Sequence, residues 1–226
     1  DIGESGIDGI TMTLSGTEVG GTTINRTTTT DENGDYLFSG LAPGTYSVAE
    51  GETPGYMDGA EHVGSEGGTT ADDLLGNIVL GDGVDAVDYD FGEVLPAGVS
   101  GSVVDDAGNG IEGTTIELHG TDDLGNDVDL STSTNSNGDY AFADLRPGTY
   151  DIVEVQPTGY GDGGESAGPL GGTVGDDAIT GIVLGSDESS PDNDFDEIRS
   201  SISGTVVDDA GNGIENVVIE LTGIDD

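Results

Sequence analysis

The sequence predicts an all-β chain, a tandem array of seven-stranded β-sandwich domains, and three observations carry that prediction. First, the chain repeats itself. VVDDAGNGIE at residues 103–112 returns unchanged at residues 206–215, and GDYLFSGLAPGTY at 34–46 reappears as GDYAFADLRPGTY at 138–150. A period near a hundred residues marks stacked structural units rather than one large core. Second, apolar residues inside each unit alternate with polar ones, and no run of any length shows helical spacing. Third, Gly, Asn, Asp and Pro separate these runs at short, regular intervals, as in sandwiches.

The second repeat can be read strand by strand. GSVVD (101–105) is a β-branched opening strand, closed by the turn DAGNG (106–110). Thr114, Ile116 and Leu118 alternate with Thr115 and Glu117, the period of a half-buried strand. The turn DLGND (123–127) leads into a Thr/Ser-rich strand at 128–134, and NSNG closes it. Tyr140, Phe142 and Leu145 follow at strand spacing. Pro147-Gly148 turns the chain into a strand at 149–155. A long Gly-rich loop (161–177) precedes strands at 179–184 and 194–198. The first repeat matches in register, with its own Gly-rich loop at 59–73. The expected core is Met12, Leu14, Tyr36, Phe38, Leu41, Tyr46, Val48, Ile78 and Leu80, with Ile116, Leu118, Tyr140, Phe142, Leu145, Tyr150, Ile152, Ile182 and Leu184 as partners.

Composition sets the physical conditions. There are 47 acidic residues against three arginines (Arg26, Arg146, Arg199), no lysine, and a formal charge of −44. Soluble small domains usually carry a net charge of about 2–8. Such self-repulsion is tolerable where salt shortens the Debye length to about 3 Å, so the loss of lysine points to a halophile. Nucleic acid and anionic membranes are excluded as partners. No stretch reaches the ~20 apolar residues of a membrane span, so no direct membrane insertion is expected. With no cysteine, no disulfide ties the units.

The phrase carried by Gly138-Asp139-Tyr140, Leu145, Pro147-Gly148-Thr149-Tyr150, Glu154 and Gly159-Tyr160, and again by Gly34-Asp35-Tyr36, Leu41, Pro43-Gly44-Thr45-Tyr46, Glu50 and Gly55-Tyr56, resembles the B-type repeat of bacterial collagen adhesins and serine-aspartate-repeat surface proteins. The resemblance spans essentially the whole chain and implies an Ig-like, transthyretin-like (prealbumin-like) sandwich. It also implies a self-formed isopeptide bond between Lys and Asn or Asp, assisted by a buried Glu. Glu50 and Glu154 stand at that Glu position, but without lysine the bond cannot form. Each is then either a solvated carboxylate at a sheet margin or a partly buried carboxyl with a raised pKa.

Calcium is the natural cofactor for clustered carboxylates. The candidates are Asp105-Asp106, Asp208-Asp209, Asp192 with Asp194, and Asp88 with Asp90, with Asp122-Asp123 as a further pair; solvated turn chemistry is the alternative for each. Asn25-Arg26-Thr27 fits a glycosylation acceptor in a loop. His62 and His119 lack counterparts in the other repeat and read as surface imidazoles. No nucleophile elbow, zinc-protease motif or phosphate loop is present, so no enzyme is expected.

The boundaries follow from the repeats: a first sandwich at 1–97 lacking its opening strand, a second at 98–199, and the first two strands of a third at 200–226. This describes either a window of a longer array or a subunit whose extra strand completes a neighbour. The expected partners are further repeats of the same chain or copies of itself, with a glycan or protein ligand at a distal end. The expected role is a stalk or filament on a cell or virion surface; the rival is an adhesin that binds through its Gly-rich loops.

Overall fold

The computed structural model describes residues 6–223 and is all-β, with no helix among them. The first repeat contributes β1 (Thr11–Glu18), β2 (Thr23–Thr29), β3 (Gly44–Ala49), β4 (Met57–Asp58), β5 (Thr69–Ala71), β6 (Leu74–Leu80) and β7 (Glu93–Val94). The second contributes β8 (Ala97–Asp105), β9 (Thr115–Asp122), β10 (Asp127–Ser133), β11 (Asp139–Leu145), β12 (Gly148–Val155), β13 (Gly161–Ser166), β14 (Thr173–Gly175), β15 (Ala178–Leu184), β16 (Ser189–Ser190) and β17 (Asp194–Ile198).

In the second repeat two sheets face each other. One runs β10-β9-β12-β15-β14, antiparallel throughout. The other runs β11-β8-β17-β13, with β16 beside β8. Alternation decides which side chains enter the core. On β12 these are Tyr150, Ile152 and Glu154, and on β9 Ile116 and Leu118, all buried. From the opposite sheet come Val99, Val103, Tyr140, Phe142 and Phe195.

The strand β8 is central to its sheet. It pairs antiparallel with β11 and parallel with β17, where Phe195 lies opposite Val103. Gly101 is required there, since a Cβ at that position would sit 1.7 Å from the Asn193 carbonyl oxygen. That same carbonyl accepts the Tyr140 hydroxyl at 2.6 Å.

The first repeat keeps one sheet, β2-β1-β3-β6-β5, in the same register. Its second sheet is nearly gone. Only the β4–β7 pair and an isolated bridge between His62 and Asp90 remain. Residues 35–41, which match β11, form no strand. Among the described residues no strand pairs with residues 35–41 as β8 pairs with β11. Tyr36, Phe38, Leu41 and Phe91 are consequently only partly buried, where Tyr140, Phe142, Leu145 and Phe195 are fully so. A cavity of about 400 Å³ opens among Met12, Tyr36, Phe38, Leu41, Ala86 and Phe91.

Three expectations are corrected. The Gly-rich stretches are not wholly loops: 161–177 contains β13 and β14, while 59–73 is loop except for the short β5. These are exposed polar edge strands, which carry no alternating apolar signal. Residues 200–223 hold no strand, only a Val207–Gly213 bridge beside a turn, and their side chains are exposed. The segment's apolar residues, among them Ile202, Val218, Ile219 and Leu221, stay exposed, with no second layer among the described residues to cover them. Asn25 lies on β2 rather than in a loop, with its side chain exposed.

Candidate functional site: a buried carboxylate cluster in each repeat

The inward alternation of β12 ends on a charge. Tyr150 and Ile152 point into the core, and Glu154, the next inward position, is only 3% exposed. On the opposite sheet β17 does the same, with Phe195 inward and then Glu197, 1% exposed. The two carboxylates therefore meet across one end of the sandwich. Asp177, in the tight turn between β14 and β15 with φ of 53°, completes a trio whose carboxylate oxygens lie within 4.8 Å of one another. Its backbone is fixed from both sides: the Glu154 N–H donates to the Asp177 carbonyl at 2.9 Å, and the Asp177 N–H donates to Glu165 Oε1 at 2.9 Å. Asp162 and Glu165 of β13 share Asp177 in a second, more exposed trio.

The first repeat has the same arrangement at residues 104 earlier. Glu50, Asp73 and Glu93 form the inner trio, and Asp58, Glu61 and Asp73 the outer one. The Asp73 N–H donates to Glu61 Oε1 at 3.0 Å, and Asp73 also has a left-handed backbone, φ 54°. These side chains are half-buried, as expected beside an incomplete second sheet.

Burial dominates the electrostatics. It pushes the Glu154 carboxyl up to about 9 and that of Glu50 to about 8, with the charges of Glu197 and Glu93 acting in the same direction. Glu197, Glu93, Asp177 and Asp73 are raised too, again chiefly by burial. Of the two readings of Glu50 and Glu154, the structure favours the buried carboxyl. The sign of its pH dependence follows. Below pH about 4.5 folded and unfolded chains both hold the proton, and stability is unaffected. As pH rises toward the folded values, the unfolded chain ionises first and stability is lost. In chelated protein at constant salt, the melting temperature is therefore expected to fall between pH 5.5 and 8.5, where surface carboxylates are already ionised. Glu154→Gln should flatten that slope, and a slope unchanged in the variant would refute the assignment.

The residues proposed from sequence for calcium are not brought together. Asp105 uses its carboxylate within its own turn, accepting from the N–H groups of Ala107 and Asn109 at 3.0 and 2.8 Å, and Asp208 does the same with Ala210 and Asn212. Those bonds hold both carboxyls below their ordinary value. Asp194 Oδ1 accepts from Ser102 N–H and Oγ–H. Asp88, Asp106, Asp192 and Asp209 are exposed, as is Asp90. Among the described residues none of the eight belongs to a group of three converging carboxylates. Sequence reading reached Glu50 and Glu154 but missed Asp73, Glu93, Asp177 and Glu197. Their signal was present as acids recurring at an offset of 104. His119 is a surface imidazole, with Nδ1 2.7 Å from Asp129 Oδ1.

Comparison with known proteins agrees with this architecture. Residues 1–92 match the family described as SdrD B-like domain, and residues 98–176 the carboxypeptidase regulatory-like domain. The chain is 34% identical over 208 residues to serine-aspartate repeat-containing protein F of Staphylococcus epidermidis, covering 86% of this chain and 12% of that protein. It is 32% identical over 213 residues to serine-aspartate repeat-containing protein D of Staphylococcus aureus strain Newman, covering 86% and 15%. Among solved structures it resembles the Bacillus anthracis TIE protein loosely, with TM-score 0.37, 15% identity, and 88% and 32% of the two chains covered. The shaft pilin spaA of Lactobacillus rhamnosus GG gives TM-score 0.33, 16% identity, and 89% and 91% covered. With the repeated GDY…PGTY…E phrase and the sandwich it builds, the sequence relatives place this chain among the B-type repeat domains of serine-aspartate-repeat surface proteins.

Proposed function

We propose that this chain is a non-enzymatic spacer of an extracellular, cell-surface protein, a stalk segment in which sandwiches follow one another and hold a distal part away from the surface. Its family supports a cell-surface role of structural or adhesive kind. The stalk reading rests on the joint between the repeats. Only two residues separate β7 from β8. The Leu95 N–H donates to Ser186 Oγ at 2.8 Å, and its carbonyl accepts from the Asp187 N–H. Arg146 binds Asp123 with two hydrogen bonds, at 2.6 and 3.0 Å, and donates a third to the Asp58 carbonyl of the first repeat at 2.7 Å. A planar guanidinium used this way fixes orientation as well as distance. Further repeats of the same chain or neighbouring copies are the partners this implies, and the acid-rich surface suits concentrated salt.

Small-angle scattering of the chain tests the joint. In the wild type we expect one elongated, well-defined distance distribution. Arg146→Ala should broaden it while each repeat melts within a few degrees of its usual temperature, since a partly exposed ion pair is worth about 1 kcal/mol or less. A freely hinged wild type would overturn the stalk reading. The adhesin alternative relied on Gly-rich loops, and the segment at 161–177 is partly strand, β13 and β14; specific binding on a glycan array by this chain would restore it.

A further inference from the structure

We infer that β2 of the first repeat is a self-association edge, where a second copy of this chain adds its own β2 antiparallel and joins two sheets into one. β2 is the outer strand of the sheet β2-β1-β3-β6-β5, and among the described residues no strand pairs with its far side. At the two ends of the β1–β2 ladder, the Glu18 N–H donates to the Thr22 carbonyl and the Thr30 N–H to the Ile10 carbonyl, both at 2.9 Å. Bonded and non-bonded pairs alternate between those ends. Ile24, Arg26 and Thr28 therefore turn their backbone N–H and C=O toward β1. Thr23, Asn25, Thr27 and Thr29 turn theirs to the open edge.

Folded proteins blunt such edges with charge or keep them short, and this chain does both elsewhere. Among the other edge strands β10 carries Asp127 and Asp129, β11 carries Asp139 and Asp144, and β13 carries Asp162 and Glu165. Every remaining edge strand among the described residues has three residues or fewer. β2 has seven residues and no acid. Its one charge is Arg26, whose guanidinium donates to the Ser39 carbonyl at 2.9 Å. Five of the seven are β-branched (Thr23, Ile24, Thr27, Thr28 and Thr29), the type that pairs well in strands. This edge is both long and unguarded.

Charge also selects the occupant. At an offset of 104 residues, Thr23 and Asn25 correspond to Asp127 and Asp129, and Thr13 on the adjoining strand corresponds to Glu117. The margin that is acidic in the second repeat is thus neutral in the first. A basic partner would find more carboxylate at β10, β11 or β13. A second chain of charge −44 finds at β2 the one long edge where no strand carboxylates are brought together. A two-fold axis at Asn25 sets Thr23 beside Thr27 of the second copy and Ile24 beside its Arg26, so the two guanidinium groups do not face each other. The contact covers less than roughly 1,200 Å² in total, the range of weak, reversible association. In a stalk it would link neighbouring chains, although the pairing itself does not rest on the stalk reading.

Sedimentation velocity of the intact chain, from about 1 to 500 μM, tests this in 1 M NaCl, where the screening length is about 3 Å. We expect a reversible monomer–dimer equilibrium with a dissociation constant on the order of 100 μM, and association at least roughly tenfold weaker in 0.1 M salt, where repulsion reaches about 10 Å. Thr23→Asp/Asn25→Asp copies the acids of β10, with which the second repeat already folds, and should leave the chain monomeric at a nearly unchanged melting temperature. Amide exchange followed by NMR gives the edge directly. The N–H groups of Thr23, Asn25 and Thr27 should slow as the dimer forms, while those of Ile24 and Arg26, already bonded to β1, should not change. A wild type that stays monomeric throughout would overturn the proposal and leave the edge to an extended segment of another protein. A dimer undiminished in the double variant would overturn it equally, by placing the contact elsewhere, for instance at Ile202 and its neighbours.

Discussion

Placing AGVSGSVV, the sequence of residues 97–104, directly before Asp1 is expected to raise the stability of the first repeat by about 2–3 kcal/mol, or roughly 10–20 °C in melting temperature for a unit of this size. The added segment would run into Asp1, the residue that aligns with Asp105. The reasoning starts from the second repeat, where β8 touches β11 on one side and β17 on the other and inserts Val99 and Val103 into the core. Burying two such valines stabilises by about 1.5–3 kcal/mol each before the cost of ordering the strand. In the first repeat their place is the cavity beside Tyr36, Phe38 and Phe91, so these half-buried rings gain cover as well. Calorimetry should show two transitions in the original chain, with the extension moving only the lower one. Extending with AGVSVSVV instead is the control. A side chain at the position of Gly101 would run into the carbonyl that approaches it there, and the gain should be lost. If the lower transition stays where it was with AGVSGSVV, a strand at that position does not cover the half-buried rings of the first repeat. If the lower transition rises without extension, at high protein concentration, the occupant is Ile202 and its neighbours from a second copy, whose sequence ISGTVVDD follows β8 residue for residue in pattern.

The sequence made most strands of both sheets of the second repeat legible and hid the edge strands β13 and β14, for reasons that lie in particular residues. β9 and β12 announce themselves because Ile116, Leu118, Tyr150 and Ile152 alternate against Thr, Glu and Asp, and their matches in the first repeat repeat the message. β13 and β14 are glycine and polar residues at sheet edges, and nothing in a period-2 pattern marks a strand both of whose faces are wet. The sparse second sheet of the first repeat was only half legible. The opening strand of the second repeat can be read at residues 101–105; that it sits between two others is a tertiary fact. The carboxylate cluster is similar. Glu154 is visible as a charge at an inward position, yet its partners arrive from β17 and from the turn after β14, through chain reversals that a linear pattern does not encode. Glu197 was further masked by its surroundings, since four of the seven residues in DNDFDEI are acidic and pairing with β8 decides which of them faces inward.

Salt should have the second large effect. A chain of −44 with lone arginines has almost no attractive pairs to set against its repulsions. Among the described residues the side-chain ion pairs are Arg146 with Asp123 and His119 with Asp129 and Glu117. Adjacent acids such as Asp72-Asp73 and Asp176-Asp177 are held close by the turns they occupy, and unfolding lets them spread. At 0.01 M salt the screening length is about 30 Å, comparable with a sandwich, so charges repel across the whole unit; at 1 M it is about 3 Å, and only neighbours interact. The melting temperature is therefore expected to climb by roughly 20 °C or more between those limits, several kcal/mol for units of this size. Sodium chloride and choline chloride should act nearly alike, because the effect is screening. Sulfate should exceed both, since it also strengthens apolar burial. A melting temperature flat from 0.01 to 1 M would remove the halophilic reading altogether.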